Sequence, residues 1–273
     1  MFVKTALMAL LATSATASVI TLDGSCGNLE PTAEQLQAAR EMGRQEAMTS
    51  FADDGDDLKA TTNVPVYVHV VAAGKSSDEG YVSESDIKTQ ISKMNTAYAN
   101  TTFQFDLKKI DYTVNKDWSE NGDDLAMKKS LRVGDYKTLN IYYQTDLGHS
   151  GNNYVLGYCH FPTTTSEGED SFTLDGCNVL HKSLAEGTTT PHEVGHWMGL
   201  FHTFQGGCTG DGDMVDDTPA CKKDTSCREG TDTCPDVDGL DMIHNYMAYG
   251  RCRYEFTDGQ ATRMRSSYNK YRA

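Results

Sequence analysis

Residues 190–202 gather the side chains best suited to chemistry in this sequence: His192, Glu193, His196 and His202, with Gly199 between the last two histidines. On a helix, residues four apart share a face, so His192 and His196 can present two imidazole nitrogens to one ion with Glu193 a step aside. Gly199 permits the positive φ that ends a helix in a sharp turn, and such a turn brings His202 round as a third nitrogen ligand. Three protein ligands suit zinc and leave its fourth position to water. Water held there gives up a proton near neutral pH, and Glu193 can take that proton as the oxygen attacks a carbonyl. Five fixed residues in this order arise by chance on the order of once in ten thousand such chains.

A site of this kind needs a rigid frame. The 273 residues are 38% hydrophobic and 23% charged, which is the composition of a globular protein and excludes collagen, coiled coil and full-length disorder. Val64-Pro65-Val66-Tyr67-Val68-His69-Val70-Val71 reads as a buried strand, with Pro65 at its start where a missing N–H matters least. Across residues 83–99, Ile87, Ile91, Met94 and Tyr98 recur at helical spacing; residues 103–113 alternate as a strand, 123–133 suit a short helix, and 138–143 form another strand. This alternation predicts an α+β fold whose upper part is α/β-like, a sheet covered by helices. With 39 acidic against 24 basic residues the net charge is −15, and no basic run exceeds a pair. Such a balance excludes a nucleic-acid binder and speaks against a membrane surface.

The amino terminus reads as an export signal over residues 1–17: Lys4, an apolar run at 6–12 too short to span a bilayer, and Ala15-Thr16-Ala17 before the cut. Export implies an oxidising compartment, so the eight cysteines read first as disulfide partners, and Asn100-Thr101-Thr102 is a glycosylation sequon at Asn100 in a eukaryotic cell. Residues 18–59 carry nine acids against three bases and few large apolar groups, too few for a core of their own. Thr32 and Gln35 form a capping box ahead of a helix running to Met48, and Asp53-Asp54-Gly55-Asp56-Asp57 then reads as a loose linker open to proteolysis. Residues 18–59 are therefore expected to be a propeptide, leaving 60–273 as the catalytic domain.

The motif His192-Glu193-x-x-His196-x-x-Gly199-x-x-His202 resembles the metzincin metalloproteases, whose second hallmark is a methionine turn beneath the zinc. His244-Asn245-Tyr246-Met247-Ala248-Tyr249 resembles that turn. The resemblance implies that Met247 floors the ligand histidines and that Tyr249 stabilises the oxyanion with its hydroxyl. Within the metzincins the chain is similar to the pappalysin-like family, in particular its secreted fungal extracellular metalloproteases. The likeness rests on residues 192–208, on Asp213-Met214-Val215-Asp216-Asp217-Thr218-Pro219, on Asp232-Thr233-Cys234, and on Phe256-Thr257-Asp258-Gly259-Gln260 with Arg263-Met264. Leu156-Gly157-Tyr158 followed by Phe161-Pro162 looks like the family's edge strand above the cleft, where an extended substrate adds as a further strand. The implied fold is the metzincin zincin fold: a twisted mixed sheet with the active-site helix above, and an irregular, disulfide-tied part below.

The same resemblance implies a disulfide Cys208–Cys234 and a second joining Cys252 to Cys227 or Cys221; Cys159–Cys177 is the expected third. Cys26-Gly27 resembles a cysteine switch, in which a thiolate occupies the open zinc position until the segment is removed, the alternative being a plain disulfide from Cys26 to the leftover cysteine. The acid-dense residues 211–217 read either as a calcium site, as in related enzymes, or as a solvated loop. Arg251 stands by the pocket for the residue after the cut, where some relatives carry an acid, and is expected to favour acidic or neutral side chains. The expected protein is a secreted zinc endopeptidase, a monomer acting on proteins or peptides. Two other classes stay open: a secreted zinc-containing binding or inhibitory protein without turnover, and a zinc hydrolase of non-peptide substrates.

Overall fold

Four valines on one parity of the first long strand start the core. In β2 (Thr62–Ala72), Val64, Val66, Val68 and Val70 are fully buried on one face, while His69 and Val71 are buried on the other, so both faces must be covered. The structure, a computed structural model, describes residues 23–28, 30–49, 61–150 and 153–273. The expected signal at 1–17 and acidic linker at 53–57 lie outside these.

β2 lies between β3 (Phe103–Val114) and β4 (Leu139–Gln144), parallel to both. It begins earlier than the sequence predicts and takes Pro65 inside it. The missing N–H is tolerated because pairing with β4 starts only at Val66↔Leu139. β7 (Cys177–Leu180) continues the parallel order, and β6 (Asn153–Cys159) closes it antiparallel, with the two-residue β5 (His149–Ser150) beside it. A further strand, β1 (Asp23–Cys26), pairs in parallel with β6, so the full order is β1-β6-β7-β4-β2-β3.

Helices cover both faces. On the valine side, α2 (Glu84–Ala97) buries Ile87, Ile91, Met94 and Ala97, and its N-cap Ser83 accepts from Asp86 N–H. On the other side, Trp118 of the single turn α3 (Lys116–Ser119) and Met127 of α4 (Asp124–Leu131) pack on Val71 and Tyr142. A short α5 (Asp170–Leu174) precedes β7. Ahead of β2 in the chain, α1 (Ala33–Thr49) starts at the reciprocal Thr32 and Gln35 capping contacts.

After Trp197 the chain is irregular to Thr257 apart from an Asn245↔Glu255 bridge, and Cys208–Cys234 and Cys227–Cys252 tie it. Cys159–Cys177 joins register partners on β6 and β7. Cys26 and Cys221 are both free thiols, so the alternative disulfide between them is not formed. The final helix α7 (Asp258–Tyr271) has its own Thr257/Gln260 capping box and packs behind the sheet's lower edge.

Candidate active site

The nine-residue helix α6 (Thr189–Trp197) carries the sequence motif and is buried on every side. Tyr98 hydroxyl donates to the Pro191 carbonyl at 3.0 Å, and the Tyr143 and Thr190 hydroxyls meet at 3.0 Å, so α2 and β4 fix its first turn. At its end Gly199 takes φ 92°, and Leu200 N–H donates back to the Gly195 carbonyl at 2.9 Å, a left-handed helix stop. A Cβ at Gly199 would also lie 2.4 Å from Ser267 Oγ, so both backbone and space require glycine. The turn sends His202 back under the helix.

His192, His196 and His202 converge with Cys26, their potential ligand atoms all within 4.8 Å of one another. His192 Nδ1 donates to the Tyr246 carbonyl at 2.6 Å and His196 Nδ1 to the Leu200 carbonyl at 2.8 Å, which leaves each Nε2 as the lone-pair nitrogen. His192 Nε2 is buried without a partner, and the Nε2 atoms of His196 and His202 face each other at 3.2 Å. Burial holds His196 down to about 4 and pushes His192 and His202 well below the ordinary histidine range, so all three are neutral near pH 7. Neutral imidazoles aimed at one point, one of them otherwise orphaned, fit a metal ion.

Glu193 is almost fully buried, and burial raises its carboxyl to about 8, with the Cys26 thiol and Arg253 pulling it partly back. Gly157 of β6 lies directly over it: a Cβ there would come within 2.6 Å of Glu193 Cγ. Tyr249 hydroxyl donates to the Cys26 carbonyl at 3.4 Å, and its ring packs on His202 and Phe204. Met247 is fully buried under α6, its sulfur 2.4 Å from where a Cβ of Gly195 would stand. Asn245 holds this turn, accepting from Met247 N–H at 2.9 Å while exchanging hydrogen bonds with Gln260 of α7.

The edge assigned to substrate is occupied by β1. Gly27 N–H donates to the Gly157 carbonyl at 2.8 Å, Asn28 Oδ1 accepts from Cys159 N–H at 2.8 Å, and Cys26 Sγ lies 3.4 Å from Glu193 Oε2. Burial first, and then the Glu193 charge, push the Cys26 thiol well up. Beside it a cavity of about 370 Å³ is lined by Glu186, Thr189, Ser226, Arg251 and Arg253.

The sequence profile of the M43 peptidases, described as pregnancy-associated plasma protein-A, matches residues 124–269, more than half the chain. The chain belongs to this pappalysin family. Two fungal relatives named extracellular metalloprotease, from Sordaria macrospora and Neurospora crassa, are 47% and 45% identical, each over 91% of this chain and 89% of the relative. Among solved structures, a mutant of promirolysin from Tannerella forsythia is similar with TM-score 0.62 at 26% identity, covering 87% of this chain and 90% of that one. Mirolysin bound to a small compound gives TM-score 0.59 at 27% identity over 77% of this chain and 92% of that one. This pappalysin is a metalloprotease with a metzincin-like fold, and proteins are its substrates.

Other predicted positions are dispersed. Asn100 is exposed in the turn after α2. Three of the acids at 211–217 have separate partners: Asp211 pairs with Arg40, Asp213 accepts from Thr218 hydroxyl, and Asp217 accepts from Thr257 hydroxyl and Gly259 N–H. Sequence reasoning put Gly157 in the edge strand above the cleft but missed how closely it approaches Glu193. It also missed Arg253, pinned at 3.1 Å by Glu186 and at 2.8 Å by Thr188 on the cavity wall. A third omission was Asp175, which takes Trp197 Nε1 at 3.1 Å and Arg272 Nη2 at 2.8 Å and so locks the end of α6.

Proposed function

We propose that this pappalysin is a secreted, monomeric zinc endopeptidase made as a zymogen, with a signal at 1–17, a propeptide at 18–59 and the catalytic domain at 60–273. The convergence of three neutral histidines on one point beside a buried glutamate carries the reading. His192, His196 and His202 would hold the zinc, which supplies polarisation of the scissile carbonyl and a more acidic water. Glu193 takes the proton from the attacking water and returns it to the leaving amine. Tyr249 hydroxyl donates to the developing oxyanion, and Met247 keeps the histidines from sinking. Calcium stays outside this reading, because Asp211, Asp213 and Asp217 each serve a different protein donor.

Extended substrate would replace β1 along β6, with Gly157 leaving room above Glu193. Arg251 would favour an acidic or neutral side chain in the cavity beside the cut, whose lining it shares with Glu193 and with the Arg253–Glu186 pair. A peptide-library profile dominated by Arg or Lys after the cut would contradict that preference. Cys26, set among the histidines, acts in this reading as the thiolate that fills the zinc's open position until the propeptide leaves. Mirolysin covers 77% of this chain, close to the share made up by residues 60–273, whereas promirolysin covers 87%. That difference supports a pro-segment ahead of residue 60. The secreted fungal relatives and the absence, among the described residues, of any helix long and apolar enough to cross a membrane support export; Asn100 would then carry a glycan.

The test is casein hydrolysis by secreted protein cut in the linker and freed of its propeptide, beside Glu193→Ala and a zinc chelator. Loss of cleavage in both controls, with zinc still bound to Glu193→Ala, is the expected result. Absence of cleavage by wild type freed of its propeptide would favour a binding or inhibitory protein.

A further inference from the structure

Helix α1 is held by contacts of its own, distinct from those of Cys26. Its inner face, Leu36, Ala39 and Met42, packs on Phe161, Phe201 and Met214 of the catalytic domain. Glu46 takes a two-pronged ion pair from Arg263 of α7, Nε to Oε1 at 3.0 Å and Nη2 to Oε2 at 2.8 Å. Arg263 is 1% exposed and also donates from Nη2 to the Met214 carbonyl. Gly43 stands against that guanidinium, where a Cβ would lie 3.1 Å from Nη2. At the rim Arg40 meets Asp211 at 2.6 Å, and Gln205 donates to Glu30 at 2.8 Å.

We infer that the groove formed by Phe161, Phe201, Met214 and Arg263 is a docking site for the propeptide helix, an anchor separate from Cys26, so that the propeptide stays bound and the enzyme latent after the linker is cut. The inference rests on the zymogen reading above. Departure of α1 breaks the two-pronged Glu46–Arg263 ion pair and uncovers Phe201, next to the third histidine; both oppose release. Neither contact passes through residues 50–60, so cutting that segment removes no interaction described here. Two anchors on one short segment also hold each other at high effective concentration. Backbone cleavage and activation are then separate events, and the second requires the freed segment to dissociate or be destroyed.

The full-length secreted chain, with a recognition sequence for an unrelated protease placed at 53–57, is folded, labelled in its propeptide, nicked and passed over a sizing column at micromolar concentration. Co-elution of the labelled fragment is expected, with casein hydrolysis under a tenth of that reached once the fragment has been removed. Glu46→Gln and, independently, Met42→Glu should each release it at least tenfold faster, and Cys26→Ser should leave it attached. Separation of the wild-type fragment on nicking, or release unaltered by both helix variants, overturns the inference. Binding is read from the label, so protein that retains the fragment yet never hydrolyses casein after its removal would refute the protease reading and leave the docking groove standing.

Discussion

At the scale of single residues, the site depends on where a side chain is missing as much as on where one is present. Gly157 gives Glu193 its space beneath the edge strand, and its carbonyl accepts the hydrogen bond that anchors whichever segment lies along β6. Gly157→Ala is expected to cut kcat/KM by more than a hundredfold with little change in Tm, since the added methyl displaces the Glu193 carboxylate and not the core. Wild-type hydrolysis by that variant would remove the positional role of Gly157. For Glu193→Ala, loss of the proposed proton acceptor should lower kcat at least a hundredfold while metal content, measured by atomic absorption, stays at one ion per chain. The two variants separate the group that moves the proton from the backbone that positions it.

Among the elements, α6 is too short to be stable alone, and its ends are fixed by groups distant in sequence. Asp175 and Arg272, both 1% exposed, close its C-terminal end, with the Arg272 guanidinium 3.6 Å above the Trp197 ring and donating to the Trp197 carbonyl. Asp175→Ala leaves that guanidinium buried and unpaired and should cost about 3–5 kcal/mol in denaturant unfolding. An effect under about 1 kcal/mol would show that the pair does not brace the helix. A second polar cluster joins α4 to the sheet, where Asp124 meets Lys128, Asn178 and His160. Burial alone would raise the Asp124 carboxyl, but His160, Lys128 and Asn178 outweigh it and hold it down to about 2. Its value in the unfolded chain is about 3.9. Ionised Asp124 therefore stabilises the fold above about pH 4 by about 2 kcal/mol, and that contribution disappears as pH falls from 4 to 2. Asp124→Asn should be less stable than wild type at pH 7 and equal to it at pH 2; a gap that persists at pH 2 would assign the effect to packing.

For the whole molecule, an ion held by the three histidines, as proposed, would join two halves that otherwise share few regular elements. Two of the histidines belong to the helix above the cleft and the third to the irregular part below, so binding one ion links the sheet to the disulfide-tied loops. Chelation is expected to lower Tm by several degrees in proportion to the binding free energy lost, with recovery on adding zinc. An unchanged Tm would mean that the lower part is held by its disulfides and the Met247 turn alone.

Much of this was legible in the sequence because it is local or periodic. The spacing of His192, His196 and His202 follows from helix geometry and one glycine turn, the valines of β2 from the period of a strand, α1 from its capping box, and α2 from the helical recurrence of its apolar residues. Contacts across the fold carry no local signal. The placement of β2 between β3 and β4, the proximity of Gly157 to Glu193, the Asp175–Arg272 brace and the Glu46–Arg263 pair each join residues dozens to hundreds of positions apart. Residue type and local spacing determined which groups could bind a metal and move a proton. Only the tertiary structure decided which segment fills the cleft and what holds it there, because those contacts exist only once distant parts of the chain are packed together.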